Sequence, residues 1–305
     1  MSMAVIKKKI VVFGVTGQDG SFLKELYEDA EVYGFARGVL NSEIDYNCID
    51  LSAVEISDLV KILTDIDPDL IYNFAGQSSV GISFNNPGET FASNYLAHFK
   101  LLESCVTMGF SGRIYSALSS DMIGKGILNL DTGKITCLPV SPYGLSKFAC
   151  YNLNKVYREK YGLKIVDGIL FNHESGRRRS SFFFGKILDY IRSGKNSELI
   201  LGDLSVKRNF GHARQYMERI KSHMHEDSSD LCICLTETDY SLYEMVNLFI
   251  QEANLNPKQI IWNNSAKRPH ELDHINVIGD RSAFFGLYHG PQLIKIVLQE
   301  IYDIS

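Results

Sequence analysis

The chain has 305 residues, a formal net charge of −5 and no long Lys/Arg run, so it can bury a sizeable core, and neither nucleic acid nor an anionic membrane is expected as its main partner. Its apolar runs are strand-sized, and the lysines of residues 1–9 precede no cleavable apolar segment, so the expectation is a cytoplasmic protein without a membrane span or signal peptide. The six cysteines are scattered singly except Cys232 and Cys234, and no Cys-x-x-Cys or His-Glu-x-x-His occurs; buried reduced thiols are expected, and no metal.

Residues 9–14 (KIVVFG) form a short apolar, β-rich run that ends in Gly14-Val-Thr16-Gly17-Gln18-Asp19-Gly20 and leads into the helix-like residues 21–30. Strand, glycine turn and helix in that order predict a dinucleotide site, because glycines let a pyrophosphate approach the amides at the helix N-terminus. The plainer alternative is a glycine turn with no ligand. Residues 31–36 (EVYGFA) read as the second strand, and where an NAD site would end in an acid this one ends in Arg37. A guanidinium there suits a 2′-phosphate, so NADP is favoured over NAD, the alternative being a solvated surface arginine. Asp50 and Leu51 end a predicted third strand, with Asp50 placed for an adenine amino group. A helix over 53–66 then leads to the strand 70–75, whose end, Phe74-Ala75-Gly76, and the following Gln77-Ser78-Ser79 would pass beneath the cofactor.

Residues 94–108 read as one long helix and 113–118 as the strand that delivers Ser119, Ser120 and Asp121 to the same carboxyl edge of the sheet. Ser141-Pro-Tyr143-Gly-Leu-Ser-Lys147 then opens a helix on which Lys147 sits one turn from Tyr143. An ammonium there lowers the phenol's pKa and makes it a usable proton acceptor. Tyr-x-x-x-Lys alone is also common on amphipathic helices, and Ser and Asp also serve as caps and turns; their arrival at one edge favours catalysis. A strand at 164–171 and amphipathic helices at 241–252 and 292–302 follow, with Phe182, Phe183 and Phe184 read as core. Strands alternating with helices predict an α/β protein, a doubly wound parallel Rossmann-type sheet with a smaller mixed α/β lobe.

The glycine loop followed by Ser119, Tyr143 and Lys147 resembles the extended short-chain dehydrogenase/reductases. Longer strings narrow the resemblance to the GDP-mannose 4,6-dehydratase group: Thr16-Gly-Gln-Asp-Gly-Ser21, Gly168-Ile-Leu-Phe-Asn172-His-Glu174-Ser175 with Arg177-Arg178, Leu201-Gly-Asp-Leu, Lys207-Arg208-Asn-Phe-Gly-His212 and Arg268-Pro-His-Glu271-Leu-Asp273. The resemblance implies a GDP-sugar substrate, bound NADP(H) and internal hydride transfer. Tyr143 would take the C4 hydroxyl proton, Ser119 would hold the C4 oxygen, Ser120 matches the family's Ser, and Asp121 stands where the family has the Glu acting at C5 and C6. Asn172, Glu174, Lys186, Arg208, Arg268, Glu271 and Ser79 would meet the nucleotide sugar. Arg177 and Arg178 read, with Lys186, Arg208 and Arg268, as local positive charge for a diphosphate.

Asp121 is one methylene shorter than the family's Glu, Met122-Ile123-Gly124 replaces Leu-Tyr-Gly, and Arg37 is followed by Gly38 where the family often has a second arginine. The chain is also nearer in length to the related GDP-4-keto-6-deoxymannose reductases. A GDP-4-keto-6-deoxy-sugar reductase or epimerase is therefore the rival expectation, followed by a catalytically weakened NADP-binding regulatory protein. A homodimer or homotetramer is expected. The cofactor domain is expected mainly over 1–171 and the nucleotide-sugar lobe over 172–305, with interleaved segments.

Overall fold

The computed structural model describes residues 7–38, 46–195, 198–226, 229–262 and 272–303. Two compact units divide the chain: residues 1–122, 141–169 and 217–233 form the first, and residues 123–140, 170–216 and 234–305 the second.

The first unit is built on a seven-stranded sheet. From edge to edge its strands are Leu231–Cys234, Lys164–Leu170, Arg113–Ser119, Leu70–Asn73, Lys9–Phe13, Glu31–Ala36 and Asn47–Cys48. The pairings from Arg113–Ser119 to Asn47–Cys48 are parallel. Residues such as Ile10, Val11, Val12, Ile71 and Ile114 are fully buried, as expected for parallel strands covered on both faces. The strand order reverses between Lys9–Phe13 and Leu70–Asn73. At such a switch point the carboxyl ends diverge and leave a crevice, and here those ends carry Gly14 and the residues 74–76.

The helices Gln18–Leu26, Ile56–Ile66, Ala97–Thr107 and Pro142–Tyr161 cover this sheet. Leu59, Leu63, Leu101, Leu102, Cys105 and Tyr157 join Val11, Phe13, Ile71, Ile114 and Ile165 in its core. The helix Pro142–Tyr161 has strong start and stop signals. Ser141 Oγ accepts from the Gly144 amide at 3.0 Å, Pro142 occupies the first turn, and Gly162 closes the helix with φ 69°.

Several boundaries differ from the sequence reading. The first helix starts at Gln18, because the last turn of the glycine loop is already helical. The strand Leu70–Asn73 stops two residues early, where Asn73 Oδ1 accepts from the Ala75 amide at 3.1 Å and turns the chain. The expected helix over 94–108 is a π-helical turn at Ala92–Leu96 running into Ala97–Thr107. Four of the six cysteines are buried, Cys232 and Cys234 on one strand face among them, whereas Cys48 lies exposed on the short edge strand Asn47–Cys48.

In the second unit the strand Lys207–His212 lies between Asn172–Glu174, which it pairs in parallel, and Asp239–Ser241, antiparallel to it. The helices Phe183–Arg192, Leu242–Glu252 and Gly290–Asp303 supply Phe184, Leu188, Phe249, Leu293 and Val297 to its core. Ser241 and Glu244 close a capping box at the start of Leu242–Glu252. Two further small sheets pair Leu199–Leu201 with Ile260–Trp262, and Ile127–Asn129 with both Ile135–Thr136 and Val277–Ile278.

Candidate active site

The first strand ends in a turn through Gly14, Val15 and Thr16, and Gly17 caps the helix Gln18–Leu26. The Gly14 amide donates to Phe35 O at 2.8 Å, and a Cβ on Gly20 would lie 2.4 Å from Gly14 O, so only glycine lets the helix start this close to the strand end. Gln18 Nε2 donates to the Asp19 carboxylate at 3.4 Å. Along the same edge, Arg37 follows the second strand and Asp50 and buried Leu51 follow the third. Burial works against the Asp50 charge, but the Ser52 hydroxyl and amide, with help from the Arg37 guanidinium, outweigh it and hold the carboxyl below its ordinary range. Phe74, Ala75 and Gly76 leave the fourth strand, Gly76 with φ 146°. Ser79 caps the helix Val80–Asn85, its Oγ accepting from the Ile82 amide.

The fifth strand carries Ser119 as its last residue, and Ser120 and Asp121 form the short turn that follows. Ser119 Oγ donates to Asp121 Oδ2 at 3.2 Å and accepts from the Asp121 amide at the same distance. Ser119, Ser120 and Tyr143 are buried. The Tyr143 helix abuts this turn: a Cβ on Gly144 would come within 2.5 Å of Asp121 O. Lys147 Nζ donates to Ala117 O at 2.8 Å, two residues before Ser119. Burial lowers the Lys147 pKa, and Cys150 and Asp19 act electrostatically in the opposite sense. The Asp19 carboxylate of the glycine loop is thus near enough to favour the Lys147 charge electrostatically. The structure therefore brings Ser119, Asp121, the Tyr143 helix and the loop to one edge of the sheet.

Two features escape the sequence reading. Asn94, on the π-helical turn, is buried with Nδ2 donating to Gln77 O at 3.0 Å and Ser146 Oγ at 2.9 Å, while its Oδ1 has no hydrogen-bond partner among the described residues. Such a turn leaves no mark in hydrophobic periodicity. Behind the strand of Ser119, His98 Nε2 meets Asn154 Oδ1 at 2.6 Å and Ser116 Oγ at 3.3 Å, and its Nδ1 meets Asn73 Nδ2 at 3.0 Å. Asn154 Nδ2 donates to Asp167, which pairs with Arg158 at 2.8 Å. Burial, with a smaller effect from the Lys147 charge, pushes the His98 pKa down to about 4 against the Asn154 hydrogen bond.

In the second unit Asn172 opens its strand and Lys186 is exposed on the helix Phe183–Arg192. Arg208 donates to Lys207 O at 2.8 Å and Leu272 O at 3.0 Å. Glu174 is buried and pairs with Arg178 at 2.9 Å, and the Arg178 guanidinium lies 4.0 Å from the centre of the Phe182 ring. Arg178 thus neutralises an internal carboxylate, which the sequence reading of it as diphosphate charge does not foresee. Phe184 is core, as expected, whereas Phe182 serves as this arginine's platform. Arg268 and Glu271 lie outside the described residues.

A nicotinamide dinucleotide suits the first unit's residues. The N-terminal turn of Gln18–Leu26 offers backbone amides to a diphosphate, Gly20 leaves no side chain over the turn, and Asn94 Oδ1 is a buried acceptor lacking a donor among the described residues. The family model described as "GDP-mannose 4,6 dehydratase" matches residues 11–282. A GDP-mannose 4,6-dehydratase of Vibrio cholerae serotype O1 is 30% identical over 272 residues, covering 82% of this chain and 73% of that protein. GDP-mannose 4,6 dehydratase 2 of Arabidopsis thaliana is 32% identical over 331 residues, covering 98% and 88%. Among solved structures, the UDP-glucose 4-epimerase of Thermus thermophilus, a complex with NAD, aligns over 97% of this chain and 100% of its own with a TM-score of 0.82. At 19% identity that likeness is one of fold.

Proposed function

Because the chain belongs to the GDP-mannose 4,6-dehydratase family, we propose that it converts GDP-mannose to a GDP-4-keto-6-deoxy sugar with bound NADP(H) and no net use of cofactor. The observation that carries this reading is the delivery of Ser119 and Asp121 by the strand end to the helix that bears Tyr143 and Lys147. Arg37 supports NADP over NAD, since a guanidinium fits a 2′-phosphate.

The bound nicotinamide supplies a hydride acceptor for C4 and later the donor for C6. Tyr143 takes the C4 hydroxyl proton on its phenol oxygen, helped by the Lys147 charge one helical turn away. Lys147 holds that place through Ala117 O. Ser119 donates to the C4 oxygen, which gains carbonyl character as C4 is oxidised. The C4 carbonyl acidifies C5–H, and Asp121 removes that proton. The C5–H electron pair becomes the C5–C6 double bond as the C6–O bond breaks, and the departing hydroxyl leaves as water with the proton from Asp121. Addition of the hydride at C6 and of the proton held by Tyr143 at C5 completes the product and restores the Tyr143 acceptor.

We assign the first unit to the cofactor, through Gly14, Thr16, Gly17, Gln18, Asp19, Gly20, Asp50, Leu51 and residues 74–76. The second unit is assigned to the nucleotide sugar, through Asn172, Lys186, Arg208, Arg268 and Glu271. Glu174 acts there through Arg178, not on the substrate. Ser79 faces the sugar in this reading, and a homodimer or homotetramer in the cytoplasm is the expected assembly. One observation favours a second reading: the short Asp121 carboxylate is engaged by Ser119, which fits a GDP-4-keto-6-deoxy-sugar reductase that needs no C5 base. Mass spectrometry of an incubation with GDP-mannose tests the choice. The dehydratase yields a product lighter by one water with NADPH unchanged, whereas untouched GDP-mannose and NADPH consumed against a 4-keto-6-deoxy sugar establish the reductase.

A further inference from the structure

We infer that Glu89 is a specificity-determining residue for the cofactor: by pairing with Arg37 it restrains recognition of a 2′-phosphate and narrows the gap between NADP and NAD. The inference rests on the assignment of Arg37 to that phosphate. Arg37 NH1 lies 3.4 Å from Glu89 Oε1, and both side chains are exposed, at 60% and 61%. Glu89 stands in the first turn of the helix Pro87–Phe91, which Pro87 starts, so its backbone is fixed. The Asp50 carboxylate also feels the Arg37 charge. The guanidinium at the end of the second strand therefore interacts with two carboxylates before any ligand arrives.

A 2′-phosphate needs that guanidinium for charge-assisted, paired hydrogen bonds. Engaging it means opening the Arg37–Glu89 pair and leaving the Glu89 carboxylate a few ångströms from a dianion, where like charges repel. A ribose 2′-hydroxyl makes no such demand, and it can donate to either acid. Glu89 thus opposes NADP and is indifferent or helpful to NAD. Exposed ion pairs are weak and screened by salt, so the size of the effect is about two- to fivefold in dissociation constant at low ionic strength.

The test is direct titration of the full-length, cofactor-stripped protein with NADP and with NAD, read by calorimetry. Wild type is compared with Glu89→Gln, Arg37→Ala and the double variant, at low salt and at about 0.5 M NaCl. Glu89→Gln keeps the side chain's size and removes its charge. It is expected to tighten NADP roughly threefold while moving NAD less than about 1.5-fold, with the gain fading in high salt and largely vanishing in the Arg37→Ala background. A role confined to holding the helix Pro87–Phe91 would move both cofactors together and would ignore salt. If Arg37→Ala weakens NADP selectively but Glu89→Gln changes neither cofactor, or both alike, the Glu89 inference is wrong and the NADP assignment stands. If Arg37→Ala weakens both cofactors equally, the assignment and the inference fall together.

Discussion

His98 makes a quantitative prediction about acid. Its imidazole is buried behind the strand that carries Ser119, with Nε2 toward Asn154 and Nδ1 toward Asn73, and burial holds its pKa at about 4. An unfolded histidine titrates near 6.5, so between these values the unfolded chain binds a proton that the folded chain excludes. His98 therefore costs no stability above pH 6.5, destabilises progressively as pH falls from about 6.5 to 4, and adds no further loss below that. Between pH 7.5 and 4.5 the linkage amounts to about 2.5 kcal/mol. His98→Gln keeps an amide for Asn154 and an oxygen for Asn73 but cannot titrate. The variant is expected to be about 1–3 kcal/mol less stable than wild type at pH 7.5 through imperfect hydrogen bonds. Its urea transition should then lose about 2.5 kcal/mol less than wild type on going to pH 4.5. The difference between the two proteins cancels the carboxylates they share. Stability–pH curves that run parallel within about 0.5 kcal/mol would show that His98 is not held neutral, and the buried network would need redrawing.

Two substitutions probe the site itself. Tyr143→Phe keeps the ring and removes the proton acceptor, so kcat should drop about a thousandfold while nucleotide-sugar binding changes little; activity within about tenfold of wild type would move the base elsewhere. Gly20→Ala places a carbon where 2.4 Å separates it from Gly14 O, so the turn must shift. Cofactor affinity by titration should fall at least about tenfold, in line with the typical cost of overpacking, and an unchanged affinity would remove the glycine turn from the cofactor site.

The sheet was legible because its strands are short β-rich apolar runs closed by turn residues, and the places of Ser119, Asp121, Tyr143 and Lys147 because they fall at a strand end and a helix start. Ser141, Pro142 and Gly162 announce that helix by their own chemistry. What stayed hidden depends on residues far apart in the chain. Nothing in the spacing of His98, Asn154 and Asp167 says that their side chains meet, and nothing local distinguishes Arg178, turned inward onto Glu174, from Arg208, held by the backbone at 207 and 272. The π-helical turn that aims Asn94 reads as ordinary helix in the sequence, since its five residues are too few for periodicity to separate them from the α-helix they run into. Arg37 points to a ligand by its position after the second strand, and its partner Glu89 comes into view only in three dimensions.

The central claim is that Asp121, despite its short arm, removes the C5 proton of an oxidised sugar. Incubating the protein with GDP-mannose in D₂O and reading the product by proton NMR tests this most directly. The account predicts a 4-keto-6-deoxy product with solvent deuterium at C5, formed without added reductant, and an Asp121→Asn variant that still binds the nucleotide sugar but is slowed at least about a hundredfold. Product that keeps its original C5 hydrogen, or an Asp121→Asn variant of undiminished rate, would contradict it.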